Sequence, residues 1–257
     1  MAMKKRSLAL ALLLTAIQLA AQNAPVHVLA SNGVKAVIED LRKQAEETLK
    51  RPLMIEYDTS TVVKKRIDDG AAFDVAILTS DVIDDLAKAA KIDPGTRMEI
   101  ARCGIGVGVR AGAAKPDIKT SDALKKTLLA SKSITYAQNG ASRKYLLQMF
   151  DKFGITDIMK AKTVMAQGSD DSNARVADGS AEMILTLVSE ILPAPGVQFV
   201  GPLPNDVQHY VSFAVGTSKN SKNTDADKAL TKFLSSPAVE GTLKAKGMQA
   251  APARVSR

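Results

Sequence analysis

The sequence predicts an α/β fold made of two lobes, and three observations carry that expectation. Strand-like runs alternate with segments of helical period, which argues for parallel sheets covered by helices. A long alternating stretch at residues 97–110 separates one set of such units from a second. The 257 residues are 46% hydrophobic and 24% charged, enough to bury one large core or two small ones and too apolar for a disordered chain.

Taken in order, VHVLA at 26–30 reads as a strand, and Val34, Val37, Ile38, Leu41, Ala45 and Leu49 then recur at helical spacing. LMIEY at 53–57 is a second strand, 60–69 a short helix stopped by Gly70, DVAIL at 74–78 a third strand, and 80–90 a helix capped by Ser80. After 97–110 come a helix at 121–130, a strand at 133–136, and a helix at 142–153 with Leu146, Leu147, Met149, Phe150 and Phe153 on its apolar face. The second set continues with a strand at 163–167, a helix at 171–178 and a strand at 181–188. Prolines make the next passage a connector around one short strand at 197–200. VQHYVSFAVG at 207–216 alternates like a strand, and two helices close the chain, the last opening at Ser236 with Pro237 and stopping at Gly247.

The first residues, MAMKKR followed by SLALALLLTAIQLAA, have the layout of a secretory signal peptide, with cleavage expected near Ala21. Without Lys4, Lys5 and Arg6 the formal charge of +8 falls to about +5, and the remaining lysines are dispersed. With no tryptophan and no nucleic-acid module, that charge reads as a solvated surface and excludes a nucleic-acid partner. The lone Cys103 sits in an alternating strand and reads as a buried structural thiol. His27 and His209 lie far apart in strand-like runs, outside any zinc pattern, so a structural role is expected for both, with no metal and no cofactor. No G-x-S-x-G elbow, phosphate loop or calcium loop is present.

Small hydrogen-bonding residues recur where strands hand over to helices: Ser31-Asn32-Gly33, Thr59-Ser60-Thr61, Asn139-Gly140-Ala141-Ser142 and Ser169-Asp170-Asp171-Ser172-Asn173. Each can be a simple helix cap. Loops at the carboxyl ends of strands are also where open α/β sheets bind ligands, and converging helix starts favour a small anion.

The mature chain resembles, over nearly its whole length, the molybdate-binding-like branch of periplasmic solute-binding proteins that serve ABC importers. The opening strand ending in Ala30-Ser31, YDTSTVVKKRIDDGAAFDVAIL at 57–78, RCGIGVGVRAGA at 102–113 and FLSSPAVEGTLKAKGM at 233–248 carry the resemblance through their order and spacing. It implies a type II periplasmic-binding-protein fold: lobe one from residues 25–102 and 210–257, lobe two from 103–209, and a double-crossover hinge near Cys103 and His209. It also implies a monomer in the periplasm that passes a small anion to a permease. Ser31, Asn32, Ser60 and Thr61 would bind from the first lobe, and Ala141, Ser142, Ser172 and Asn173 from the second.

Two features depart from the molybdate pattern. Where molybdate binders place a pocket tyrosine this chain has ILTLVSE, with Thr186 in the neighbourhood, and NGASRKY brings Arg143 and Lys144 to a helix start. An arginine fork matches a planar carboxylate, which makes a small organic carboxylate the rival of a tetrahedral oxyanion. SEILPAPGVQFVGPLPNDVQ at 189–208 is similar to a subgroup containing aconitate isomerase, which implies an alternative enzymatic reading on the same fold. Proton transfer would then fall to Tyr136, Lys144, Asp171 or Glu190, with the catalytic group itself left open.

Overall fold

The computed structural model describes residues 24–251. The expected leader at 1–21 lies outside the described residues, among which no helix is long and apolar enough to cross a membrane. The chain begins β1 (Val26–Ser31), α1 (Asn32–Leu49), β2 (Leu53–Asp58), α2 (Ser60–Asp68), β3 (Val75–Thr79) and α3 (Ser80–Lys88). These are the strand–helix units expected from the hydrophobic period, and β1 lies parallel to both β2 and β3. α1 turns seven residues, Gly33 through Leu49, into the core, and Lys50 ends it in a left-handed conformation.

β4 (Met98–Arg110) follows a short 3-10 turn and runs through the whole molecule. After it come α4 (Ser121–Ala130), β5 (Ile134–Ala137), α5 (Arg143–Lys152), α6 (Thr156–Lys162), β6 (Thr163–Ala166), α7 (Ser169–Asp178), β7 (Met183–Leu187), α8 (Val188–Ile191) and β8 (Val197–Pro202). The chain then returns as β9 (Tyr210–Thr217) and closes with α9 (Thr224–Leu234), a 3-10 turn at Pro237–Val239, α10 (Glu240–Ala245) and β10 (Met248–Ala250).

The strand order is β2-β1-β3-β9-β4-β7-β5-β6, with β8 and β10 also paired to β4. This is the α/β architecture of type II periplasmic binding proteins, as expected. β4 organises it. Residues from Met98 to Gly104 pair with β9, whereas Ile105 onward pairs with β7, and Gly106 onward also with β8. The sheet therefore has two halves that share one strand and change over between Gly104 and Ile105. Gly106 and Gly108 are required by space, because a Cβ there would meet Phe199 at 2.7 Å and Ile184 at 2.9 Å.

Gln208 fixes the second crossing beside the first. Its side-chain Nε2 donates to the Ile105 carbonyl and its Oε1 accepts from the Ile105 N–H, both at 2.9 Å. Cys103 is buried there as expected, with Ser189 donating its N–H to the sulfur at 3.4 Å. Burial pushes the thiol up to about 11, which leaves it protonated and unreactive.

The halves also touch through Gly33 at the start of α1. Ser189 on α8 donates its hydroxyl to the Gly33 carbonyl at 2.7 Å, and a Cβ on Gly33 would lie 2.5 Å from Phe213 and 2.9 Å from Leu187. Gly33→Ala is therefore expected to destabilise the protein by about 1–3 kcal/mol through overpacking, read by urea unfolding. A midpoint matching the parent protein would contradict that contact.

Several local expectations are corrected. Ser80 is the first residue of α3 and Thr79 holds the cap position, without a side-chain capping bond. Its N–H is taken instead by the Ser60 hydroxyl at 3.0 Å. α7 opens two residues earlier than its apolar period indicates, because polar Ser169 and Asp170 already follow the helix. α6, α8 and β10 were not expected. Each is too short to display a period, and β10 exists because Gly247, at φ 74°, turns the chain back onto β4. The single closing helix expected from Ser236 is split into the 3-10 turn and α10.

Candidate functional site

A cavity of about 590 Å³ opens where the two halves of the sheet face each other. The first half contributes the start of α2, the junction of β3 with α3, and Arg97 and Glu99 around the start of β4. The second half contributes the loop at 138–141 and the first turn of α5, and residues 209–212 run along it from the second crossing.

Local chemistry explains why these pieces hold still. Thr59 caps α2 by accepting from the Val62 N–H at 3.4 Å, and Ser60 bonds the Thr79 N–H, so two helix starts are stitched together. Gly140 accepts from the Arg143 N–H at 3.1 Å, turning the chain into α5, whose cap residue Ser142 makes no side-chain capping bond.

The charged groups in the cavity divide sharply. Arg97 is held by Asp84 at 2.5 Å and by Glu99 at 3.2 Å. Lys144 reaches across from α5 to Asp81 on α3 at 3.2 Å. Burial would push the Asp81 carboxyl up, but hydrogen bonds from Thr79 and Lys144 hold it below the usual carboxylate range. Arg143, in contrast, has no side-chain hydrogen bond or ion pair among the described residues, and its Nε is buried without a partner. A guanidinium in that state lacks a counter-charge and several acceptors.

His209 also lines this cavity, stacked on Tyr145 with ring centroids 3.3 Å apart and planes inclined by 15°. Burial and the neighbouring Lys144 lower its pKa from the ordinary 6.5, so the imidazole is neutral at pH 7. His209 borders the cavity as well as packing on Tyr145. His209 precedes β9 instead of lying within it, and the sequence signal was the placement of this residue at the second crossing. His27 does have a structural setting, with Nε2 bonded to Glu56 at 2.7 Å.

The hydroxyl loops do not all meet in one place. Ser60, Thr61, Ala141 and Arg143 line the 590 Å³ cavity. Asn32 and Asn173 line a second, larger cavity of about 850 Å³, at whose side Lys35 of α1 pairs with Asp170 of α7 at 3.2 Å. Ser31, Ser142 and Ser172 are buried and line neither. Ser31 accepts from the Gly33 N–H, Ser172 donates to the Gly168 carbonyl, and Asn173 donates to the carbonyls of Ser169 and Glu190. Of the proton-transfer candidates, Lys144 lines the first cavity and Glu190 the second. Thr186 donates its hydroxyl to the Glu190 carboxyl, whose pKa burial nevertheless raises. Tyr136 packs on Phe150 in the core, and Asp171 is bound to Arg175 at 3.1 Å. No cluster of three or more histidine, cysteine or acidic residues that could hold a metal occurs among the described residues.

A two-part sheet joined by one long strand, with a polar cavity between the parts, has the layout of a two-lobed solute-binding protein. Residues 26–249 match the family described as bacterial extracellular solute-binding protein, and the chain belongs to that family. It is 28% identical over 233 residues, 88% of each chain, to an aconitate isomerase from a Pseudomonas species. Its fold is shared with the periplasmic molybdate-binding protein of Azotobacter vinelandii at a TM-score of 0.75 and 18% identity, covering 89% of this chain and 100% of that one. The sulfate-binding protein SubI of Mycobacterium tuberculosis superposes with a TM-score of 0.71 at 16% identity, covering 90% and 88%.

Proposed function

We propose that this protein captures a small organic polycarboxylate in the 590 Å³ cavity, between lobes formed by residues 25–102 with 210–257 and by 103–209, and presents it to an ABC permease of the inner membrane. The unpartnered guanidinium of Arg143 is the observation that carries this reading. A carboxylate supplies both the missing charge and two in-plane acceptors, as the fork of an arginine requires. Thr61 and Ala141 line the same cavity and support the reading as further hydrogen-bond donors. The pairing of Gln208 with Ile105 makes the two crossings a compact pivot for closure, in keeping with hinge motion in two-lobed receptors. The leader expected at 1–21 fits a periplasmic location.

A thermal-shift panel on residues 22–257 tests the reading, using citrate, tricarballylate, cis- and trans-aconitate, molybdate, tungstate, sulfate and phosphate. A ligand at 100 times its Kd stabilises by about 2.7 kcal/mol. Stabilisation by one or more tricarboxylates and not by the inorganic oxyanions is expected, and the opposite selectivity would overturn the carboxylate assignment.

The similarity to an aconitate isomerase across 88% of both chains favours a second reading, in which the same cavity interconverts cis- and trans-aconitate by an allylic proton shift. Turnover followed by ultraviolet absorbance separates it from simple capture.

A further inference from the structure

Among the side chains that line the cavity without a polar partner among the described residues are the guanidinium of Arg143 and the imidazole of His209. His209 is fixed by its backbone, which donates to the Gln208 side chain at 3.0 Å, and by the face of Tyr145, while both ring nitrogens remain uncommitted. A ring held flat against Tyr145, in the cavity that also holds the carboxylate anchor, is arranged to exchange a proton with a bound carboxylic acid. Lys144, the cation in the first turn of α5, is tied to Asp81 and is therefore poorly placed to act as the base.

We infer that His209 is the group that carries the proton in an allylic isomerisation of a bound unsaturated tricarboxylate. This inference rests on the isomerase reading of the cavity. In the step, an imidazole nitrogen takes a proton from the allylic methylene carbon. The electron pair of the broken C–H bond becomes part of a delocalised allylic anion, whose charge spreads toward the carboxylate held by Arg143. The imidazolium then returns the proton to the other end of the allyl system, and the double bond is left one position over. Nothing is oxidised or reduced, no group leaves, and His209 ends in its starting state. The charged and titratable groups that line the cavity with the ring are Arg143, Lys144 and Tyr145 from α5, Asp81 and Asp84 from α3, Arg97 just before β4, Glu99 on β4, and Tyr210 on β9. Lys144 and burial favour the neutral ring that accepts the first proton.

The test uses the mature chain with cis- and trans-aconitate, comparing the parent protein with His209→Asn and His209→Gln. Loss of kcat by about 100-fold or more with KM within threefold is expected. Each variant should still be stabilised by aconitate in a thermal shift, which shows that binding and folding survive. The parent kcat/KM should fall on the acid side with an apparent pKa below 6.5. Parent turnover with variants that keep kcat within fivefold overturns the role of His209 alone. A parent protein that converts neither isomer removes the isomerase reading, and the inference with it. Should neither variant fold, the parent pH profile decides, because turnover without that acid limb also overturns the assignment.

Discussion

Replacing Arg143 by alanine is expected to weaken tricarboxylate binding by about 10- to 100-fold, as measured by calorimetric titration of the mature chain. The size follows from losing charge-assisted hydrogen bonds, worth about 1.5–3 kcal/mol, in a cavity where the other cations are already engaged. Arg97 cannot substitute, since Asp84 and Glu99 hold it, and Lys144 is committed to Asp81. Arg143→Lys should recover only part of the affinity, because an ammonium keeps the charge and loses the planar fork. The unliganded alanine variant should be as stable as the parent, since Arg143 contributes no side-chain bond to the fold and its Nε is buried unpaired. Unchanged affinity in both variants would remove Arg143 from the site and leave the helix starts as the sole anion donors.

The chemistry of this cavity was only partly legible in the sequence, and the division has a physical cause. The frame was legible because it depends on period. β1, α1, β2, α2 and β3 fall almost where their apolar spacing puts them, and the alternation through 97–110 becomes the one strand shared by both halves. Hydroxyls at helix starts were legible as a class, but not as individuals. A serine that caps a helix and one that faces a ligand have the same local sequence, and only tertiary contact tells them apart. Ser31 turns its oxygen to the Gly33 N–H, and Ser60 at the start of α2 spends a lone pair on the N–H of Thr79 on β3. Arg143 could be read as a cavity residue or a solvent-facing one for the same reason. The partners it lacks are a property of every neighbouring element.

The boundary of β9 decides where His209 lies. Read inside an alternating strand at 207–216, it takes a buried structural place, whereas β9 begins at Tyr210 and the preceding residues form the crossing. Gln208 accounts for the shift. By bonding both backbone groups of Ile105 with its side chain, it occupies the position where a further strand pair would have formed. The same residue thus shortens the strand, couples the two crossings and leaves His209 at the cavity.

A second large effect is expected far from the cavity, at Asp227 on α9. Its side chain is fully buried, and neither carboxylate oxygen has a hydrogen-bond partner. The Ser221 hydroxyl beside it donates to Asp74 instead, at 2.9 Å. Burial, with the added repulsion of Asp74, raises its pKa from 3.8 to about 6 despite Arg51 nearby. Between those values the folded protein holds a proton that the unfolded chain has released, so stability falls as pH rises from about 4 to 6 and is level above that window. The loss is of order 1–3 kcal/mol, set by a shift of about two pH units. Carboxyls held low in the folded state, such as Asp81 and Glu56, act in the opposite direction, losing their contribution as pH falls. They are common to the parent and to Asp227→Asn, so their effect cancels in the difference between the two proteins. Asparagine stays neutral at every pH. The unfolding free energy of Asp227→Asn relative to the parent should therefore climb across pH 4–6 and then plateau, as followed by urea denaturation at pH 4, 5, 6 and 7. A difference that stays flat across that range would mean that Asp227 ionises in the folded protein as it does in the unfolded chain. Its buried carboxylate would then be neutralised by Arg51 alone.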